Sequence, residues 1–232
     1  MNALTLQRAM PGLDHGKAVR YTPLLNRAMT EFGITTTKRA AAFLAQLGHE
    51  SVSLRYFEEI ASGEAYEGRR DLGNTQPGDG RRYKGRGPIQ LTGRANYRTY
   101  GRLLGLPLER MPRLAAQPAH GFRIAALFWQ RMDGNTLADR GDFREITRRI
   151  NGGYNGWGDR VRRWKAIKRL GDAVLPMTHD EILVAGWRSR LARVRLESGR
   201  RRAAGQKPWP AGLHALADEL KRNIRNRTKG KR

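Results

Sequence analysis

At 232 residues and 26.3 kDa the chain is long enough to bury one full domain with an appended segment, and too short for two complete domains of ordinary size. Its 39% hydrophobic content excludes disorder for the body, no window holds the roughly 18 to 20 consecutive apolar residues of a spanning helix, and the absence of cysteine excludes disulfides and thiolate metal sites. A formal net charge of +24 calls for a polyanionic partner: nucleic acid, anionic bacterial envelope or acidic lipid, among which charge alone does not choose.

From Leu4 to Phe32 apolar residues fall at mixed helical spacing, broken by Pro11, Gly12 and Pro23, which predicts two short helices. Thr35, Thr36 and Thr37 then offer N-cap hydroxyls to a better-defined helix, whose run from Ala40 to Leu47 sets Phe43, Leu44 and Leu47 on one face. Glu50 lies three residues past Leu47, at the edge of that buried face, where a carboxylate is costly unless partnered. Residues 61–88 are rich in glycine, and Asp71 to Gly80 reads as consecutive turns, so a loop that serves a site is expected there, with strands short if present. Helical spacing resumes over 96–104, 120–132, 142–150 and 159–170, making the body, residues 1–172, mainly α-helical.

Residues 173–232 read as a basic helical extension. Thr178 and Glu181 have capping-box spacing, and Leu183, Trp187, Leu191 and Val194 form an apolar stripe flanked by Arg188, Arg190, Arg193 and Arg195. The Arg200 to Arg202 cluster, a Pro208-Trp209-Pro210 break, a second pattern of Leu213, Leu216, Leu220 and Ile224, and a Lys/Arg-dominated end expected to fray complete it. Such a helix docks on the body or on anionic envelope, or presents a solvated face over an ordinary packing contact.

The sharpest local feature is Gly48-His49-Glu50 at a helix end, followed nine residues later by Glu59 with Glu58 beside it. Glycoside hydrolysis needs two carboxyl groups, one protonated for the leaving oxygen and one ionised for water or for the sugar. Burial suits Glu50 as the acid, and a polar loop suits Glu59 as the base. Two glutamates at this spacing also describe an ordinary surface, so the pair alone does not decide the chemistry.

The stretches Phe43-Leu44-Ala45-Gln46-Leu47-Gly48-His49-Glu50-Ser51, Tyr66-Glu67-Gly68-Arg69, Asp71-Leu72-Gly73-Asn74-Thr75, Tyr83-Lys84-Gly85-Arg86-Gly87-Pro88-Ile89-Gln90-Leu91-Thr92-Gly93 and Ile150-Asn151-Gly152-Gly153 occur in that order. Over residues 5 to 170 the chain resembles glycoside hydrolase family 19, and within it the short bacteriophage and prophage endolysins. The resemblance implies a lysozyme-like, two-lobed helical fold with a short β or loop segment at the cleft, and an inverting mechanism. It matches Glu50 to the general acid, Glu59 to the general base, Thr92 to a hydroxyl that helps hold the attacking water, and Gln90, Asn96 and Asn151 to polar groups lining the sugar cleft. Arg160, in Asp159-Arg160, matches an arginine that pairs with the acids, with Arg162 and Arg163 close by. Where the endolysins carry two glycines, Val52 and Ser53 stand here, which implies a stiffer loop before Glu59 and keeps Glu58 open as the base.

His49 reads as a structural histidine. Of Trp129, Trp157 and Trp164, only Trp157 is expected at the sugar, because it falls in the glycine-rich run from Asn151 to Gly158. The expected activity is that of an endolysin cutting peptidoglycan with muramidase-type specificity, with chitinase action on β-1,4-linked N-acetylglucosamine polymers as the alternative. The long loops and disulfides of plant chitinases are absent, which favours peptidoglycan. A basic nucleic-acid-binding protein ranks behind, since no helix-turn-helix, zinc-finger or single-strand stacking signature is present. A wall-binding relative without turnover conflicts with the retained Glu50, Glu59, Gln90 and Thr92. Five scattered histidines lack ligand spacing, so no metal or other cofactor is expected, and a monomer is. The first twenty residues show no secretory pattern, so synthesis in the host cytoplasm is expected, with action at the wall after a separate permeabilising step.

Overall fold

The computed structural model describes residues 1–204 and 211–228, and the chain divides into two units, Met1–Pro176 and Met177–Arg232. In the first unit the helices are α1 (Ala3–Ala9), α2 (His15–Glu31), α3 (Thr37–Glu50), α4 (Asp79–Arg82), α5 (Arg94–Leu104), α6 (Pro118–Arg131), α7 (Gly134–Arg140), α8 (Phe143–Asn151) and α9 (Trp157–Lys168). Among the described residues β structure is limited to isolated antiparallel bridges of Glu58 with Arg86 and Arg86 with Leu91. The unit runs past residue 172 because a 3₁₀ turn, Gly171–Val174, buries Val174, and the Met1 amine donates to the Leu175 carbonyl.

At the centre lies α3. Thr36 caps it, its hydroxyl accepting from the Arg39 amide at 3.3 Å, and every residue from Ala40 to Gly48 is buried. A helix apolar on all sides belongs in the middle of a core, and α1, α7 and α9 pack on it while α2 packs against α1 and α6. Beyond its first turn, where Lys38 is exposed, α3 reaches solvent again only at its last, with His49 and Glu50 half-buried. The helix end therefore carries its polar residues to the edge of the core.

Two expectations change. Residues 15–31 form one long helix with Pro23 inside rather than a short one, because Pro23 lies on the exposed face next to exposed Val19, where the carbonyl left without its amide partner can be met by water. Residues 134–140, which lie between the helices expected over 120–132 and 142–150, form α7. Its first residue, Gly134, sits so close to the Trp129 ring that an added Cβ would fall 2.4 Å from it, while the Trp129 indole donates to Asn135 Oδ1 at 2.9 Å.

In the second unit α10 (His179–Ala203) and α11 (Ala211–Thr228) pack on each other and bury Val184, Leu191 and Leu220. The Thr178–Glu181 capping box forms: Thr178 donates its amide to Glu181 Oε2 at 2.8 Å and accepts the Glu181 amide at 3.2 Å. The Pro208-Trp209-Pro210 break and residues 229–232 lie outside the described residues, as do the side chains of Arg202 and Leu213.

Candidate active site

Two groups of polar side chains collect in the first unit. The first stands where α3 ends against α9. Arg160 is 1% exposed and each of its guanidinium nitrogens is used: Nε donates to the Asn155 carbonyl at 3.1 Å, Nη1 to Gln46 Oε1, and Nη2 to Glu50 Oε1 at 2.6 Å. Gln46, itself buried, passes the chain of bonds to Thr147 Oγ1 at 2.9 Å. A buried guanidinium tolerates burial only when so partnered, and the arrangement fixes the orientation of the Glu50 carboxyl, which is 21% exposed. The expected apolar surround of Glu50 is thus replaced on one side by a cation. Of the three neighbouring arginines it is Arg160 that reaches Glu50: Arg162 and Arg163 both pair with Asp159.

His49 donates from Nδ1 to Asp159 Oδ2, 2.8 Å away, and Arg163 donates to the same oxygen at 2.7 Å. Burial alone would raise the Asp159 carboxyl, but hydrogen bonds from His49 and Arg163 and their charge bring it down to about 2. His49 is accordingly a structural partner of α9, packed on Gly156, where a Cβ would overlap the imidazole at 2.2 Å.

The second group surrounds Gly85. Glu59 donates its amide to the Gly85 carbonyl and accepts the Gly85 amide at Oε2, both at 2.9 Å, while Tyr66 donates its hydroxyl to Glu59 Oε1 at 3.0 Å. A Cβ on Gly85 would meet Gln90 Oε1 at 2.6 Å, Glu59 Oε2 at 3.1 Å and Thr92 Oγ1 at 3.4 Å, so three of the expected site residues converge on a position where the backbone has no room for a side chain. Gln90 holds a positive φ of 55° and donates to the Gly87 carbonyl at 3.0 Å; Thr92 donates to the Gln90 carbonyl at 2.9 Å; exposed Asn96 donates to the Thr92 carbonyl at 2.8 Å.

Glu58 differs from Glu59 in kind. Its carboxylate faces Arg86 at 3.2 Å and Lys84 at 3.5 Å, whereas Glu59 is held by a neutral phenol and a backbone amide. Burial and the Glu59 carboxylate raise the Tyr66 phenol above its usual range, which keeps it a donor. Tyr66 and Gln46 were not singled out from sequence as site residues. Both lie within the stretches that carry the family resemblance, yet neither type announces a partner 7 or 114 residues away.

Asn151 closes α8, and its side-chain nitrogen is buried with no hydrogen-bond partner among the described residues. Trp157 is not in a loop: Gly156, with φ of 71°, ends the glycine-rich run and Trp157 opens α9. It is half-buried against Phe143 and edge-on to Tyr154. Tyr154, 42% exposed with the Arg144 guanidinium over its ring, is the aromatic that the loop presents to solvent. Among the described residues no hydrogen bond joins the Glu50 group to the Glu59 group.

The family model for class I chitinases matches residues 25–139. An endochitinase of Arabidopsis thaliana is 43% identical over 122 residues, which is 52% of this chain and 42% of that protein. A glycosyl hydrolase family 19 domain-containing protein of Haemophilus influenzae is 29% identical over 166 residues, 58% of this chain and 81% of its own. Over the matched residues the chain is similar to glycoside hydrolase family 19. Chitinase C of Streptomyces griseus superposes with a TM-score of 0.60 at 26% identity, covering 76% of this chain and 77% of the chitinase, in keeping with the lysozyme-like helical fold of the family. The chain spans about two-fifths of the plant protein's length. Glu50, Glu59, Gln90, Thr92 and Asn96 fall inside the stretch matched by the family 19 model, and Asn151, Trp157 and Arg160 fall beyond it.

Proposed function

We propose that the chain is a family 19 hydrolase of the endolysin type, cutting glycosidic bonds of bacterial peptidoglycan with inversion. The observation that carries this reading is the gathering of Glu59, Gln90 and Thr92 about Gly85, together with Glu50 held by Arg160 at the end of the central helix. In this reaction Glu50 gives its proton to the glycosidic oxygen as the bond from that oxygen to the anomeric carbon breaks. A water attacks the same carbon from the opposite face and leaves its proton on Glu59, so charge and atoms balance; Glu59 then gives up that proton to solvent and Glu50 regains one, which restores the starting state. Thr92 and Gln90, beside the Glu59 carboxylate, orient the water; Asn96, Asn151 and Trp157 line the sugar path; Arg160 positions the acid.

A second reading, chitinase action on N-acetylglucosamine polymers, is favoured by the chitinase names of the relatives and uses the same chemistry. Mass analysis of products from purified sacculi and from chitin oligosaccharides separates the two, because the sugar left at the reducing end identifies the bond. Glu50→Gln is expected to abolish release of reducing ends with the fold intact by circular dichroism, and full activity in that variant would sink the assignment of the acid. Glu59→Gln should cost roughly 10²- to 10⁴-fold in kcat; a comparable loss in Glu58→Gln with Glu59→Gln unharmed would move the base by one residue.

A further inference from the structure

Beside the Gly85 loop the first unit has a groove of about 700 Å³ whose lining includes five arginines, Arg81, Arg82, Arg86, Arg110 and Arg113, with Met111 among them, and no acidic or aromatic side chain. Arg86 forms its buried floor: it is 4% exposed, follows Gly85 directly, pairs with Glu58 and donates to the Arg82 carbonyl at 2.8 Å. Arg82 donates to the Arg110 carbonyl at 3.1 Å, tying the two walls together. Arg81 pairs with Glu64. The side chains of Arg110 and Arg113 are exposed and have neither a hydrogen-bond nor an ion-pair partner among the described residues.

We infer that this groove binds the free carboxylates of the peptides that hang from peptidoglycan glycan strands, and so favours peptidoglycan over uncharged chitin. Planar guanidinium forks take carboxylates in bidentate fashion, and two forks without an acid of their own are vacant for an incoming anion. Arg86 lines the groove and directly follows Gly85, whose amide donates to the Glu59 carboxylate, so a glycan passing that carboxylate would bring its peptide substituents toward the arginines. Met111, 55% exposed, with Pro77 and Pro112, gives short apolar side chains such as alanine a surface between the charges. Nucleic acid fits less well, since no ring is available for bases to stack on.

The inference rests on the peptidoglycan reading, and its test keeps the two apart. The full chain and the double variant Arg110→Gln/Arg113→Gln are compared on intact sacculi and on glycan strands stripped of peptide by an amidase, and soluble stem tetrapeptide is titrated into each. Both residues are exposed and unpartnered, so the variant is expected to melt as the parent does. KM on sacculi should rise about tenfold with kcat unchanged, as loss of charge-assisted bonds made equally in ground and transition states requires. Kinetics on stripped glycan should not move, and tetrapeptide binding should be lost. Equal losses on both glycans, or no loss on either, overturn the role of the groove. A variant that loses affinity for a short DNA duplex while the parent never binds tetrapeptide overturns the carboxylate assignment. A parent that binds tetrapeptide through these arginines yet releases no reducing ends leaves the groove standing and removes the hydrolase reading.

Discussion

Val52, Ser53 and Leu54 hold φ values of 50°, 59° and 61°, a left-handed turn of three non-glycine residues that begins two residues after Glu50. Ser51 anchors it, its hydroxyl donating to the Leu47 carbonyl at 2.6 Å and accepting the Leu54 amide at 2.8 Å. Left-handed backbone costs an L-residue about 1–2 kcal/mol, and a β-branched side chain fares worst there. Glycine at position 52 would remove that cost and add about 0.5–1 kcal/mol of unfolded-chain entropy; Val52 is 48% exposed, so little burial is lost. Val52→Gly should therefore raise the urea midpoint by the equivalent of about 0.5–1 kcal/mol at unchanged m. A lowered midpoint would mean the turn is not strained at Val52. The resemblance marked Val52 and Ser53 as standing at glycine positions, and both have left-handed backbone, the region that favours glycine. Arg160 was legible only through resemblance, because its contact with Glu50 spans 110 residues and no local pattern encodes it.

At the scale of elements, the glycine-rich stretch that ends at the Gly85 loop, against which Glu59 rests, is held by polar side chains rather than by strands. Asn74 donates to the Tyr66 carbonyl and accepts the Arg94 amide, each at 2.8 Å, and Glu67 takes the Gly78 and Gly80 amides at 2.7 Å. Asp79, 1% exposed, accepts the Thr75 and Gln76 amides at 3.0 Å and two bonds from Arg94. The Arg94 bonds outweigh the upward push of burial, the amides add to them, and the Asp79 carboxyl lies below the usual carboxylate range. Since the folded value lies below the unfolded one near 3.9, the stabilisation is full above about pH 5 and is lost as pH falls through the folded value. Asp79→Asn should cost about 2–3 kcal/mol at pH 7, and its Tm gap to the parent should narrow between pH 5 and 3. A gap that does not vary with pH would show that the charge of Asp79 is not what holds the loop. The turns of this stretch were readable from Gly, Asn and Asp; the two carboxylates that collect them, Asp79 and Glu67, were not, because four backbone amides are among their partners and no side-chain pattern marks those. The same limit hid α7, whose opening Gly134 is explained by the Trp129 ring packed on it and not by any local pattern.

Over the whole molecule, charge and catalysis are distributed differently. Residues 177–232 hold fifteen Lys or Arg against five Asp or Glu, while every candidate site residue lies in the first unit. The capping box and apolar stripe of the second unit were plain in sequence, but a basic helix reads alike whether it binds a surface or is simply solvated. Its two helices bury Val184, Leu191 and Leu220 and leave Leu196 60% exposed beside Arg193 and Arg200, apolar surface within a field of positive charge. Such a surface attracts polyanions over a range of about 8 Å at physiological salt and about 3 Å at 1 M. If that attraction holds the enzyme on its polymer, a chain ending at Pro176 should sediment less with purified sacculi in 50 mM salt, and the difference should vanish near 1 M. Turnover of short soluble glycans should stay the same, because the first unit has its own core and all the proposed catalytic groups. Unchanged sedimentation at low salt would assign the charge of the extension to solvation, and a difference that survives 1 M salt would point to apolar contact through residues such as Leu196 instead.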